Sequence, residues 1–200
     1  MDAKGYILVE GHGEVKAAQN LIVRLSHENG IYQPWTTPRR WPNLHQWESK
    51  YSGGIKAGVE LMRPRSDIGA LLILRDEDDQ CPKNLAPTVA KKLRQLDLPF
   101  PVAYVLLHPE YEVLFLPCLD CLDFPSWDGA TWESRRGIKE WLSGQLPRGR
   151  AYKPTVDQLR MTQKLDFQRI REANVPSFGS LERAIKFLAE HWGQRGFVYP

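Results

Sequence analysis

The first half of the chain alternates short apolar runs with segments of helical periodicity. The apolar runs cover residues 5–9, 68–74 and 101–107. Between the first two, apolar residues recur at the spacing of one helix face: Val15, Ala18, Leu21, Ile22 and Leu25. This alternation predicts right-handed βαβ units, and therefore an α/β fold with a Rossmann-like parallel sheet flanked by helices.

The same pattern gives the expected bounds of the elements. Helices are expected at residues 13–26, 44–62 and about 85–96, the second interrupted at Gly53 and Gly54. Residues 31–37 fit an irregular edge strand, because Pro34 lacks the backbone N–H that a central strand needs. A basic, aromatic loop is expected to follow at residues 38–42.

The second half of the chain has a different composition. Residues 117–150 are rich in Pro, Gly, Asp and Trp, with one short helix expected at about 132–143. The C-terminal residues are predicted to be helical, and the last helix has an apolar face made of Phe178, Leu181, Ile185, Leu188 and Trp192. We expect an α/β core over residues 1–116 and a helical C-terminal extension over 117–200, packed together as one compact domain.

Composition is that of an ordinary globular protein. Of the 200 residues, 42% are hydrophobic and 26% are charged, and the formal net charge is +3. The apolar runs are too short to cross a membrane and no secretory signal is visible, so a cytoplasmic location is expected. The mild positive charge permits a nucleic-acid partner without requiring one.

The three cysteines argue against a disulfide framework, because their number is odd. Cys118 and Cys121 form a C-x-x-C motif, which is compatible with zinc or redox chemistry. A structural zinc site needs four ligands, and no second pair has the right spacing. Reduced, partly buried thiols are the favoured interpretation.

Acidic residues directly follow two of the predicted strands. Glu10 follows the first strand, and Asp76, Asp78 and Asp79 follow the strand at residues 68–74. The carboxyl ends of parallel strands meet at one sheet edge, where α/β proteins bind ligands. Carboxylates brought together repel unless a cation neutralises them or one of them keeps a proton. Because hard oxygen ligands suit Mg²⁺ or Mn²⁺, we predict a divalent-metal site at this edge.

The acidic residues also have a structural interpretation. Asp76 and Asp78 would project to the same side if strand geometry continued, which leaves Glu77 turned away. Alternatively, Asp78 or Asp79 caps the next helix. That alternative is weaker for Glu10, since Glu is a poor cap.

These motifs resemble the Toprim signature, which places a glutamate after the first strand and Asp-x-Asp after a later one. Over most of its length the chain resembles the DUF4276 family of small Toprim-like proteins, in residues 7–14, 74–82, 110–116, 152–155 and 164–166. The resemblance implies a Toprim-like core and metal ligation by Glu10, Asp76 and Asp78. It adds Glu14, Asp79 and Glu112 as further candidates. Many relatives have Trp where this chain has Leu114, so a role tied to that aromatic is unsupported here.

The resemblance implies a nuclease in which a metal-bound water attacks a phosphodiester, and family members are often linked with a separate ATPase in phage defence. No nucleotide-hydrolysis motif is visible, because the turn around His12 lacks the lysine of a phosphate-binding loop. One alternative is a catalytically silent Toprim scaffold that binds and regulates a partner ATPase. Nucleotidyl transfer, as in primases, is disfavoured by the small size of the chain and the lack of a recognisable nucleotide site.

Further candidates are single residues or basic groups. His12 is placed to transfer a proton or approach a phosphate, or is simply a turn residue. Lys153 is a candidate for the positive charge near a scissile phosphate. The basic residues that could contact a nucleic-acid backbone, with Trp41 or Trp132 stacking on bases, are Arg39, Arg40, Arg63, Arg65, Arg135 and Arg136. The competing interpretation is solvated arginines and core tryptophans.

Overall fold

The computed structural model of the protein describes residues 2–126, 132 and 136–199. Five strands are present among them: β1 (Lys4–Val9), β2 (Arg39–Arg40), β3 (Ile68–Asp76), β4 (Val102–Leu107) and β5 (Val198–Tyr199). They form one sheet in the order β2-β1-β3-β4-β5, and every pair of neighbours is parallel. The predicted α/β fold with a parallel sheet flanked by helices is confirmed.

Seven α-helices surround the sheet within the described residues. They are α1 (Glu14–Glu28), α2 (Ile55–Met62), α3 (Pro82–Arg94), α4 (Ile138–Gln145), α5 (Leu159–Thr162), α6 (Phe167–Glu172) and α7 (Pro176–Glu190). Two 3₁₀ segments follow β4, at Tyr111–Cys118 and Asp120–Leu122, and a π-helical turn at Pro154–Gln158 leads into α5. No described helix is long and apolar enough to span a membrane.

The central strands are buried on both faces, because successive residues enter two different apolar clusters. In β1, Val9 belongs to the cluster that contains Leu21 of α1 and Leu181 of α7. Its neighbour Leu8 belongs to the opposite cluster, with Val59 of α2. Burial on both faces explains why these strands appear in the sequence as continuous apolar runs.

The strand order reverses between β1 and β3. From β1 the chain runs to β2 on one side of the sheet, and it then crosses to the other side for β3, β4 and β5. The connections that follow β1 and β3 therefore leave the sheet in opposite directions. A reversal of this kind leaves a crevice at the carboxyl edge, where open α/β sheets bind ligands.

The expected helix at residues 44–62 is wrong in its first half. Only Ile55–Met62 is helical. Gly53 and Gly54 have φ angles of 82° and 85°, in a region open to glycine but incompatible with a right-handed helix. The chain before them therefore forms turns, and α2 starts afresh after the glycines.

The expected strand at residues 31–37 is also corrected. That segment keeps a single bridge, between Gly5 and Trp35. Arg39 and Arg40, predicted to lie in a loop, instead form β2 beside Leu8 and Val9 at the sheet edge. The short strand is exposed and polar, so no apolar alternation marks it in the sequence.

β5 is a further element that the hydrophobic pattern did not predict. Val198 pairs with Val102 and Tyr199 pairs with Ala103. Two residues are too few to show a periodicity. Because this ladder stops at Ala103 while β4 continues to Leu107, the rest of that β4 edge is left between α3 and α7.

Candidate functional site

Four carboxylates and one lysine meet at the carboxyl edge of the sheet, and we call this group the carboxylate cluster: Glu14, Asp76, Glu110, Glu112 and Lys139. Glu14 opens α1, Asp76 ends β3, the next two follow β4, and Lys139 comes from α4. Lys139 Nζ lies 2.9 Å from Glu110 Oε2, 3.3 Å from Asp76 Oδ2 and 3.4 Å from Glu112 Oε2. The cluster thus draws its five groups from four chain segments, with two of them from the segment that follows β4.

Backbone hydrogen bonds hold the Asp76 and Glu110 carboxylates in place. The Tyr111 N–H donates to Asp76 Oδ1 at 2.8 Å. Glu110 Oε1 accepts from the N–H groups of Ile138 at 2.7 Å and Lys139 at 3.2 Å. These are the first amides of α4, so Glu110 caps the helix that carries the lysine and fixes its position.

Glu112 is completely buried and is held by two side chains from the C-terminal half. The Tyr152 hydroxyl donates to Glu112 Oε1 at 2.7 Å, and Gln158 Nε2 donates to the same oxygen at 3.0 Å. Glu112 Oε2 faces Lys139 without forming a hydrogen bond. Within the described residues, Glu112 Oε2 and Glu14 Oε2 are both buried without a hydrogen-bond partner.

Glu14 packs back over the turn that joins β1 to α1. The backbones of Gly11 and Glu10 provide hydrogen bonds to its carboxyl group. A Cβ atom on Gly11 would lie only 2.4 Å from Glu14 Oε1, so this position needs glycine to let the carboxylate approach. The Glu-Gly sequence after β1 is therefore explained by the position of Glu14 as much as by Glu10.

Burial raises the pKa values of three carboxyl groups in the cluster, those of Glu14, Asp76 and Glu112, towards neutrality. The pKa of Asp76 rises to about 8, first through burial and then through the charge of Glu14. Burial likewise raises the pKa values of Glu14 and Glu112 to about 7, although Lys139 opposes both shifts. One ammonium is thus shared by four carboxyl groups, and near pH 7 the cluster keeps protons or needs a further positive charge.

Lys139 itself remains cationic. Burial alone would lower its pKa, but the negative charges of Glu112 and Asp76 hold that pKa above its usual range. Its side chain is 33% exposed, so the cluster is open to solvent at the lysine.

The donor atoms fit a hard divalent cation in their chemistry. They are carboxylate oxygens, and the buried Oε2 atoms of Glu14 and Glu112 lack hydrogen-bond partners. Lys139 Nζ lies between three of these carboxylates, where it supplies the positive charge. Among the residues that the structure describes, no group of three or more His, Cys, Asp or Glu side chains is already arranged around a common metal position.

Glu10 lies at the end of β1 and contacts a different partner. Its Oε1 is 2.9 Å from His45 Nδ1, and His45 Nε2 is 2.9 Å from Gln46 Nε2. An amide nitrogen only donates, so His45 Nε2 accepts and Nδ1 carries the hydrogen that is donated to Glu10. The Glu10 side chain is 30% exposed, and Glu10 and His45 form a pair at the rim of the crevice.

Asp78 and Asp79 lie beyond the end of β3 and are exposed. The strand ends at Asp76, so the geometry that would place Asp78 beside it does not continue. Partial burial raises the pKa of the Asp78 carboxyl group, and the charge of Lys139 partly offsets that rise. Asp78 is therefore close enough to the cluster to interact with Lys139. Asp79 Oδ1 lies 3.3 Å from Arg136 Nη1.

Two further single-residue candidates lie apart from the cluster's contacts. His12 and Lys153 are both exposed. The ordered contact of Lys153 is through its backbone, whose N–H donates to Asp157 Oδ2 at 2.9 Å. The lysine among the carboxylates is Lys139, rather than the Lys153 that the sequence suggested.

The predicted basic residues do not form one surface. Arg63 and Arg65 precede β3 at the amino edge of the sheet, opposite the cluster, and pair with Glu60 and Asp67. Arg39 and Arg40 form β2, the outer strand of the sheet beside the carboxyl end of β1. Arg136 borders the crevice beside Asp79, and Arg135 lies outside the described residues.

The tryptophans considered for base stacking make structural hydrogen bonds. The Trp41 indole donates to the Gly54 carbonyl at 2.8 Å, and the Trp132 indole donates to the Ala173 carbonyl at 2.7 Å. Cys118 and Cys121 are free thiols.

Sequence reasoning missed Glu110, Lys139, Gln158 and His45 as site residues. Glu110 lies in one of the stretches that resemble the family, and that signal could have identified it. Lys139 stands in a short helix without a motif, 63 residues after Asp76. Only the fold brings Lys139 and Asp76 together.

Comparison of the chain with protein-family models, with curated proteins and with solved structures gives no match. The Toprim resemblance therefore stays a prediction from the sequence motifs. Function is inferred from the geometry and electrostatics of the carboxylate cluster.

Proposed function

We propose that the protein is a divalent-metal-dependent nuclease of Toprim type, which hydrolyses phosphodiester bonds of DNA or RNA in the cytoplasm. The observation that supports this most is the excess of carboxylates over positive charge at the strand-order reversal, where Glu14 and Glu112 are buried and Asp76 is half-buried. Glu14, Asp76 and Glu112 have pKa values raised to about 7 or 8, so a cation would bind in exchange for protons. Strongly perturbed groups of this kind in a crevice are typical of functional sites.

In this proposal Mg²⁺ or Mn²⁺ is held by Glu14, Asp76 and Glu112, with Glu10, Asp78 and Asp79 close by. The ion would supply a Lewis acid and an activated water. Tyr152 and Gln158 orient Glu112 through their hydrogen bonds. Lys139, open to solvent on one side, would stabilise negative charge on the phosphoryl oxygens. At the rim, His45 and Glu10 are placed to accept a proton.

The test is cleavage of single- and double-stranded DNA and RNA in Mn²⁺ by the wild type, Asp76→Asn and Asp97→Asn. Asp97→Asn is the matched control, because Asp97 is exposed and pairs with Arg195 at the amino edge of the sheet. We expect cleavage by the wild type and the control, with a loss of about 100-fold or more in Asp76→Asn. Equal rates in all three proteins, or no cleavage by any, would count against the nuclease.

A second candidate function is a catalytically silent Toprim scaffold that regulates a partner, such as a separate ATPase. The position of Lys139 favours it, since its ammonium already neutralises charge among three carboxylates. In that case the cluster is a structural ion-pair network that replaces a metal site. Metal binding that is absent from the wild type and is gained in Lys139→Met would support this second function.

A further inference from the structure

A cavity lies between α3 and α7, beside the carboxylate cluster. Its volume is about 690 Å³, within the usual range for small-molecule sites. It forms where the β5 ladder ends at Ala103, because β4 continues to Leu107 without a paired residue on its β5 side, among the described residues. The loop that begins after Asp76 ends in this cleft at Cys81 and Pro82, so the two sites are neighbours.

The cleft has an excess of positive charge. Lys83 from α3, Arg183 from α7 and Arg136 line it, against Asp79 as the only acidic residue among its described lining. Arg183 donates to two neutral groups, the hydroxyls of Ser180 at 3.2 Å and Tyr199 at 3.3 Å. Its charge is therefore held in the cleft by groups that do not neutralise it. Phosphate suits such a set of lining cations, because arginine forms paired hydrogen bonds with it and lysine binds it as a point charge.

The remaining wall is apolar and aromatic. The cleft is also lined by Ala86 and Pro87 of α3, Pro176 of α7 and Tyr199 of β5. A bare inorganic anion would leave this surface unused. A flat, apolar heterocycle next to a phosphate would use both parts of the cleft, because bases stack on aromatic and apolar side chains.

We propose that this cleft binds a nucleoside phosphate, with the phosphate on Lys83, Arg136 and Arg183 and the base against the wall formed by Pro87 and Tyr199. Binding here needs neither a metal ion nor the carboxylate cluster. The nucleoside phosphate is either a free mononucleotide or one unit of a single strand. A single nucleic-acid strand bound here would pass next to Asp76. Only that placement of the strand rests on the proposed nuclease function.

The experiment is calorimetric titration with deoxyadenosine monophosphate, with a short single-stranded oligodeoxyadenylate and with inorganic phosphate, all in EDTA. Chelation removes any contribution from a metal, so a failed nuclease assay does not affect the result. The variants are Lys83→Gln and Arg183→Gln, both exposed side chains whose loss leaves the core intact. Lys91→Gln is the matched control, since Lys91 is exposed, lies on the same helix and is not part of the cleft lining.

We expect the mononucleotide or the oligonucleotide to bind, with affinity reduced about tenfold in each cleft variant and unchanged in Lys91→Gln. Tighter binding of the oligonucleotide would show that the cleft binds one unit of a nucleic-acid strand. Tighter binding of the mononucleotide would show that it binds a free nucleotide. No binding at millimolar ligand, equal affinity in all variants, or inorganic phosphate binding as tightly as the nucleotide would overturn the proposal.

Discussion

Asp76 and Glu77 are consecutive residues at the end of β3, but the negative charge of Glu77 is fully balanced by its partners and that of Asp76 is not. Glu77 forms an ion pair with Arg75 and accepts the N–H groups of Asp79 at 3.0 Å and Gln80 at 2.8 Å. Although burial acts to raise its pKa, these hydrogen bonds and the charge of Arg75 hold it below the usual range. Burial raises the pKa of Asp76 to about 8, and the nearby Glu14 adds to the rise.

The difference separates a structural carboxylate from a candidate functional one. Around Glu77 each charge has a partner, and Arg75 Nε also donates to the Tyr104 hydroxyl at 2.8 Å. Such a complete, buried pair contributes to the fold and has no need of a ligand. Around Asp76 the negative charge exceeds the positive charge, which is the condition for binding a cation.

The largest expected change in the free energy of unfolding comes from breaking the ion pair between Arg75 and Glu77. Arg75→Ala leaves Glu77 buried with its charge uncompensated, so the free energy of unfolding should fall by about 3–5 kcal/mol. Chemical denaturation measures this. In the control, Arg195→Ala, an exposed ion pair with Asp97 is lost, and stability should stay within the scatter of the wild type. A small effect of Arg75→Ala would contradict the structural role of the pair.

Removing Lys139 from the carboxylate cluster should lower the free energy of unfolding by a smaller amount, which depends on pH. In Lys139→Met the unfolding free energy should fall by about 2–3 kcal/mol at pH 8, less than for a fully buried pair because Lys139 is partly exposed. At about pH 5 the carboxyl groups of Asp76, Glu14 and Glu112 are protonated because their pKa values are raised, so the ammonium has fewer charges to neutralise and the loss should be smaller. Equal losses at both pH values would show that Lys139 acts through packing rather than charge.

The pH dependence of the unmodified protein should also follow from the cluster. Asp76, Glu14 and Glu112 bind protons more tightly in the folded chain than in the unfolded one. Stability without metal should therefore fall as the pH rises from about 4 to about 8, through the interval between the unfolded and folded pKa values. Melting temperature measured across this range gives the slope, and Asp76→Asn should flatten it. A stability that rises over this range would contradict the raised pKa values.

The smallest expected effect concerns Glu10 and His45. Their pair is exposed at the rim, so His45→Ala should change the unfolding free energy by about 1 kcal/mol or less. If the nuclease proposal is right, the same variant should slow cleavage by about 100-fold and shift its pH profile. A large loss of stability would mean that the pair has a structural role like that of Arg75 and Glu77.

The sequence predicted the fold well where long apolar runs determine it. The buried strand β3 and the helix α1 were predicted nearly to their ends, because β3 is a continuous apolar run and α1 has apolar residues at helical spacing. Arg39, Arg40 and β5 were missed, because such short strands depend on tertiary pairing rather than on local pattern.

The candidate site was predictable only in part. Asp76 ends β3, and Glu14 opens the helix that follows β1 after a short turn, so the parallel sheet brings both residues to one edge. Lys139 reaches that edge only because Glu110 caps α4 at the cluster. No local signal marks such a long-range contact.

The most direct test of the central claim is calorimetric titration of Mn²⁺ into the wild type, Asp76→Asn and Asp97→Asn at about pH 8, where the carboxyl groups are most readily ionised. If the excess carboxylates form a cation site, the wild type and Asp97→Asn should bind Mn²⁺ with release of protons, and Asp76→Asn should not. Absence of binding to the wild type, or binding that Asp76→Asn leaves unchanged, would contradict it.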